Sequence, residues 1–479
     1  MADSSKDSPI TEDKKVIKYN NVPKMQTENM PKLDDENNIP KQSERDIIKV
    51  EKKDQLKEKN PSIVGAIFTM TSLTIGTGCL TFAKKVIDFG FLWFGVALII
   101  GGLSAYWTLV LLIRVAIKEK GTEYPSTVRK VLGKGAAILV DVLMALYSWG
   151  IIIAYEIILN SLLGRIVYTF FEKNKYENFN TYEKEKWGKI KIKVIVTVAI
   201  NAILFPLCLV KDIGKMKFFS YFCIVALAYT IIVLVIECPF FWKHYLKHVY
   251  VKNDKSTHAN WYDISKSFNS DLVFFTGLAT IIFCFANHQG ALPVYRTLNT
   301  NDEKVMNKVF SRSIIFTLLI YFILYISSFL TTPLESEDLI IFRESIFKND
   351  IFMDIAKIAL FLELIFLTPA NYNSMRCSIF HIIFGSEDVR TIPNIIISAA
   401  TLVVSALIGT AYKEILNYFS LIGGFCCTTM CFLIPGWMTI KVEWKNMTIT
   451  SKILTLTGII VLCILGFIGG IQSVILFFK

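Results

Sequence analysis

Downstream of residue 60 the chain is a succession of apolar runs of bilayer length separated by short polar connections, a pattern few folds accommodate. A hydrocarbon core of ~30 Å takes ~20 apolar residues of helix. Runs at about residues 62–83, 91–117, 137–171, 194–210, 218–238, 272–290, 313–332, 352–370, 393–411, 415–440 and 453–478 meet or approach that length, which predicts eleven membrane helices. The third run is longer than one upright crossing needs and predicts a helix that tilts or projects from the membrane. Hydrophobic residues make up 53% of the chain and charged residues 19%, so more apolar surface is present than a soluble core could hide, and the excess must face lipid. The expected class is an all-α polytopic membrane protein.

Charge is unevenly placed. The first 60 residues hold 13 Lys and Arg and 13 Asp and Glu, so the net +11 of the chain belongs to the apolar body. The tail has no helical period and too little apolar content to offset the entropy of ordering, which predicts a disordered, cytosolic segment. It lacks a signal-peptide pattern, so the first membrane helix is expected to direct insertion. The organisation expected is a tail over 1–60, five helices over 61–238, a polar non-cytosolic loop over 239–270, five helices over 271–440, and a loop with a last helix over 441–479. The cytosolic N-terminus rests on Lys49, Lys52, Lys53, Lys57 and Lys59 beside the first helix. Lys and Arg fall between apolar runs and form no contiguous basic face, which excludes nucleic acid as a partner. Most of the ten cysteines sit inside the runs without ligand spacing and read as packing residues. Gly-Gly pairs at 101–102, 423–424 and 469–470 predict close helix contacts.

Two runs are interrupted by residues that loosen a helix. In the first, Thr71-Ser72-Leu73-Thr74-Ile75-Gly76-Thr77-Gly78-Cys79-Leu80 places two glycines around a hydroxyl near mid-membrane. In the sixth, Phe283-Cys284-Phe285-Ala286-Asn287-His288-Gln289-Gly290-Ala291-Leu292-Pro293 introduces polar side chains. Simple close packing would account for the first segment, and a helix end entering water for the second. Their spacing carries more weight, because breaks in runs one and six fit a five-helix unit repeated with inverted topology. Unwound backbone offers N–H groups to a carboxylate and C=O groups to an ammonium or a cation. A zwitterionic amino acid carries both charges.

In these residues the chain resembles the amino acid/auxin permeases, also called the transmembrane amino acid transporter family. The likeness covers essentially everything after residue 60. It rests on Gly76-Thr77-Gly78-Cys79-Leu80 followed by Gly90, on Gly150 and Tyr155, and on Phe205-Pro206-Leu207 through Lys211 to Ser220. It continues with Phe285-Ala286-Asn287-His288 to Leu292-Pro293-Val294-Tyr295, with Thr368-Pro369 to Arg376, and with Leu421-Ile422-Gly423-Gly424 to Phe432-Leu433-Ile434-Pro435. The resemblance implies a LeuT-type core of two inverted five-helix repeats plus an eleventh helix. It also implies amino acid symport by alternating access driven by H+ or Na+, without a cofactor, in the plasma membrane or an internal vacuolar-type membrane. By carry-over, Gly76, Thr77 and Gly78 meet the substrate carboxylate, with Ile75 beside them. Cys284, Phe285, Ala286 and Asn287 line the other side near the amino group. Ser72 and Thr368 match positions that bind sodium in some members, where the first is often Asn; Ser at 72 weakens that site and favours protons. Ala83 stands where many members carry Pro, and Thr297 where many carry Glu.

Ionisable groups inside a membrane are costly, so each is a functional candidate. Glu156 and Glu363 lie deepest, and Tyr155 and His288 join them as coupling or gating candidates; His288 equally suits a cap on the broken helix. The structural alternative pairs Glu156 with Arg165 and Glu363 with Lys357. Asp141, Glu237 and Asp271 lie near run ends, where hydration is the simpler account. Among rival functions, His258 and Asp263 have the spacing of an acyltransferase pair, but no second motif accompanies them. His244 and His248 lack a third metal ligand. An amino acid sensor without flux would need a long tail able to dock into the cavity, and this one is short and charged. Neutral substrates are expected, because no acid is firmly placed in the pocket; a cationic substrate is the alternative if Glu156 faces it.

Overall fold

The computed structural model describes residues 62–478, apart from 122, 177, 211–216, 253–272, 299–301, 333–335, 348, 386–389 and 413–414. The expected tail, most of the expected 239–270 loop, Lys211, His258, Asp263, Asp271 and Pro333 lie outside the described residues. Those described are helical, with no strand among them.

In chain order the helices are α1 (Ile63–Thr74), α2 (Phe82–Phe89), α3 (Phe91–Lys118), α4 (Tyr124–Leu132), α5 (Lys134–Val167), α6 (Ile190–Cys208) and α7 (Lys217–Lys252). They continue with α8 (Val273–Cys284), α9 (His288–Leu298), α10 (Glu303–Thr331), α11 (Ile351–Phe384), α12 (Thr391–Ala411), α13 (Ile415–Ile422), α14 (Ile434–Glu443) and α15 (Ile449–Phe477). Among the described residues, eight helical stretches are long and apolar enough to cross a membrane, or nine when the bent pair at the first run is one span. Run 352–370, on α11, is helical, and run 272–290 is divided between α8 and α9; neither is among those eight. Large apolar side chains such as Leu103, Val225, Leu407 and Leu454 stand exposed on outer helix faces, as lipid contact requires.

Local chemistry sets several ends. The side chains of Ser62, Asp302, Asp350 and Thr448 each accept a backbone N–H in the first turn of α1, α10, α11 and α15. Gly90 and Gly133 form the corners between α2 and α3 and between α4 and α5 at φ +89° and +100°, where a side chain would be strained. Pro125 sits in the first turn of α4, where its missing N–H costs little. Against the expected boundary at 238, α7 continues through Pro239 to Lys252.

The glycine pairs behave as expected. A Cβ on Gly423 would lie 2.0 Å from the Ala279 carbonyl oxygen, and one on Gly424 2.4 Å from the Gly470 backbone. A Cβ on Gly101 would meet Ile281 at 2.6 Å. Helices α8, α13 and α15 therefore approach backbone to backbone, and between α13 and α14 the chain widens into two π-helical stretches, Gly423–Cys427 and Thr429–Leu433. Helices α5 and α11 pack together, with α7 against α11 and α6 and α12 against α5. Helix α1 packs against α10 and α9, and α9 also against α3.

Candidate functional site

The first run unwinds where its glycines lie. Helix α1 stops at Thr74; Ile75 and Gly76 are extended, and a 3-10 turn over Thr77–Thr81 leads into α2 with the axis turned by 46°. Ile75 N–H still bonds to the Thr71 carbonyl at 2.9 Å, and the Thr81 hydroxyl donates to the Gly78 carbonyl at 2.6 Å. The sixth run breaks likewise. Helix α8 ends at Cys284, Phe285–Asn287 are non-helical, and α9 restarts at His288.

The two breaks are tied to each other. Asn287 Nδ2 donates to Thr74 Oγ1 at 2.6 Å. The Tyr321 hydroxyl on α10 lies 2.9 Å from the Thr74 carbonyl and 2.8 Å from the Cys284 carbonyl, the last residues of α1 and α8. One buried hydroxyl thus shares its single proton between two carbonyls at broken helix ends, which eases the breaks at this depth. The Tyr321 ring is wedged edge-on against Phe82 and Phe285, each with centroids 5.2 Å away. A Cβ on Gly78 would fall 2.9 Å from the Phe283 ring and 3.1 Å from Cys284 Sγ, so backbone replaces side chain there. A Cβ on Gly76 would meet nothing within 4 Å, which leaves open space beside the unwound peptide. The first N–H groups of the 3-10 turn have no intrahelical acceptor and suit an anionic group.

Around the first break stand two of the coupling candidates. The Tyr155 hydroxyl on α5 faces Thr77 and Asn371, and the buried Glu363 carboxyl faces Cys79, Tyr155 and Cys223. One carboxylate oxygen of Glu363 has no hydrogen-bond partner. Thr368 is fully buried and gives its hydroxyl to the Leu364 carbonyl at 2.8 Å. Ser72 is exposed; the inward hydroxyls of α1 are Thr71, 3.1 Å from Ser313 Oγ, and Thr74. His288 is buried at the start of α9 with Nε2 2.9 Å from Thr108 Oγ1, and so pins α9 to α3; its Nδ1 has no partner.

Glu156 points elsewhere. It lies on the side of α5 that meets Asn201 on α6 and Gly409 on α12, away from the breaks. The ion pairs allowed for these acids do not form: Arg165 pairs with Glu337 at 3.6 Å and Lys357 with Asp354 at 2.9 Å. Hydration does not explain Asp141 and Glu237 either. Both are buried, Asp141 against His381 Nδ1 at 2.6 Å and Glu237 in a buried pair with Arg343.

The family model described as "Transmembrane amino acid transporter protein" matches residues 59–476. The chain belongs to this family. Among its relatives, sodium-coupled neutral amino acid transporter 7 of Homo sapiens is 25% identical over 273 residues, 56% of this chain and 54% of that protein. The chain therefore spans about half the length of the human relative. Sodium-coupled neutral amino acid symporter 2 of Danio rerio is 20% identical over 84% of this chain and 79% of its own. Sodium-coupled neutral amino acid transporter 7 of Danio rerio is 22% identical over 85% and 86%. The chain is thus an integral multi-pass member of an amino acid transporter family.

Sequence reading of this family member missed Tyr321, Thr108, Asn371 and Ser313. Tyr321 did carry a signal, since a phenol inside the apolar run 313–332 needs a hydrogen-bond partner at that depth. Which partner it takes depends on how α10 packs against α1, and no spacing along the chain encodes that.

Proposed function

We propose that the protein is a secondary active transporter that carries neutral amino acids by alternating access. The observation that carries this reading is the pair of facing breaks held by Tyr321 and by the Asn287–Thr74 bond. A small zwitterion set between them would put its carboxylate on the N–H groups of Gly76, Thr77 and Gly78. Its ammonium would meet carbonyls of the Cys284–Asn287 segment, with Ile75, Phe285 and Ala286 shaping the apolar remainder. Gly76 supplies the open flank that a side chain would fill. The proposed architecture is eleven spans in a LeuT-type pair of inverted five-helix repeats plus one helix, with a cytosolic N-terminus. Opposite running directions of the broken helices would then bring both breaks to one interface, where rocking of one repeat against the other exposes the substrate to each side in turn.

Proton coupling is the proposed drive, with Glu363 and Tyr155 beside the first break as the groups closest to the substrate. Two features support it: Ser72 replaces the Asn frequent at the sodium position, and it stands exposed, apart from the inward hydroxyls of α1. Sodium coupling is the second reading, favoured by the names of the three relatives, all sodium-coupled. In proteoliposomes, competition of labelled amino acid uptake at two pH values, with and without sodium, decides substrate and ion together. Uptake driven by an inward proton gradient without sodium is the expected result. Strict sodium dependence would replace the proton reading, and binding without any flux would replace the carrier by a sensor.

A further inference from the structure

Glu156 belongs to no part of the site just described. Both of its carboxylate oxygens are buried and lack a hydrogen-bond partner, and the residue is 1% exposed. Burial without partners penalises a charged carboxylate far more than the neutral acid. The polar side chain facing it is Asn201 on α6, whose Oδ1 is also buried without a donor. The neighbouring amides and hydroxyls also bond to one another and to the backbone. Asn201 Nδ2 bonds to the Thr197 carbonyl at 3.0 Å, Asn160 Nδ2 to the Glu156 carbonyl at 3.0 Å, and the Thr197 hydroxyl to Asn160 Oδ1 at 3.3 Å. A proton on the carboxyl removes the buried charge and adds a donor among these polar groups.

A cavity of about 250 Å³ lies further along α5, lined by Asn160, Ser161, Gly409 and Thr410 and by charged Arg165, Glu183, Lys193, Glu337 and Asp338, but not by Glu156 itself. Gly409 forms its contact with the acid, since a Cβ on Gly409 would lie 3.4 Å from Glu156 Cβ. Polar Asn160 and Ser161 continue from Glu156 along α5 toward Arg165. The other titratable or charged groups facing this region are few. Cys208 on α6 lies near both Glu156 and Arg376 of α11, and Arg376 is held by Asn373, by Asn394 Oδ1 at 3.2 Å and by the Val210 carbonyl at 3.4 Å. Helix α12 contributes Gly409, and Glu363 of α11 faces the opposite side of α5, at Tyr155.

We infer that Glu156, facing Asn201, forms a proton-binding site between α5, α6 and α12, separate from the broken helices. Helix α5 carries Tyr155 toward the substrate site on one side and Glu156 toward the proton site on the adjacent one, so a rigid shift of this helix links the two. The link to flux rests on the transport reading above; the site itself does not. Two measurements separate them. First, the full chain in lipid vesicles is treated with dicyclohexylcarbodiimide, which modifies protonated carboxyls in apolar surroundings, and peptides are analysed by mass spectrometry. Modification of Glu156 should fall as the pH is raised from about 5.5 to about 8.5, as the acid releases its proton. Equal modification at both values, or none at either, overturns the site. Second, Glu156→Gln and Glu156→Asp are compared with the wild type for amino acid uptake across the same range. The ratio of uptake at the two ends should collapse toward one in E156Q and survive in E156D. A wild-type ratio in E156Q overturns the link to flux. If the wild type moves no amino acid at all, the transport reading fails, and the labelling still decides the site.

Discussion

Removing the Tyr321 hydroxyl is the sharpest probe of how the two breaks are held. Tyr321→Phe keeps the ring and its edge-on contacts with Phe82 and Phe285, so only the hydroxyl between the Thr74 and Cys284 carbonyls is lost. The residue is fully buried, and no other donor to either carbonyl is found among the described residues. A buried acceptor left without its partner costs about 1–3 kcal/mol, and two carbonyls share this one donor. If the unwound ends are held in register by that hydroxyl, the loss appears as weaker binding of about 5- to 150-fold. Scintillation-proximity binding of labelled amino acid to purified protein measures it, and thermal unfolding in detergent should show a parallel drop in Tm. Binding within twofold of wild type together with an unchanged Tm would mean that the tether does not organise the site.

Other substitutions test separate parts of the argument. Gly76→Leu should insert normally into the membrane and lose uptake, because its side chain enters the open flank; normal uptake would count against a substrate there. Gly78→Ala should instead cost about 1–3 kcal/mol of stability, read by unfolding in detergent, since its Cβ meets the Phe283 ring at 2.9 Å. Arg343→Ala leaves Glu237 buried without its cation and should destabilise by about 3–5 kcal/mol, whereas replacing both partners with Met should cost far less; equal losses would contradict a buried pair. Asn287→Ala frees the Thr74 hydroxyl and should weaken substrate binding by about tenfold, with little change in surface expression.

How far these features were legible differs from one to the next. The interruptions at Gly76-Thr77-Gly78 and Phe285-Ala286-Asn287 stood out because glycine and polar side chains inside a hydrocarbon-length run are local events, and the backbone unwinds at those residues. The close approaches at Gly101, Gly423 and Gly470 were legible for the same reason, as a missing side chain is written in one letter. The partners of the ionisable groups were not. The structural alternative of Arg165 for Glu156 and Lys357 for Glu363 does not form, since these cations pair with Glu337 and Asp354, and Asp141 and Glu237 are buried in pairs instead of hydrated.

Sequence alone determined what each segment must satisfy: apolar length sets which stretches seek lipid, and glycines and amides set where a helix gives up its own hydrogen bonds. Only the tertiary structure decided who answers those needs. A phenol from α10 reaches two stranded carbonyls, and neighbouring residues on α5 send Tyr155 to one compartment of the bundle and Glu156 to another. The reason is geometric. Helical period fixes the direction of a side chain relative to its own axis, but contact between helices depends on how those axes are rotated and crossed, and that is settled by the packing of the whole bundle.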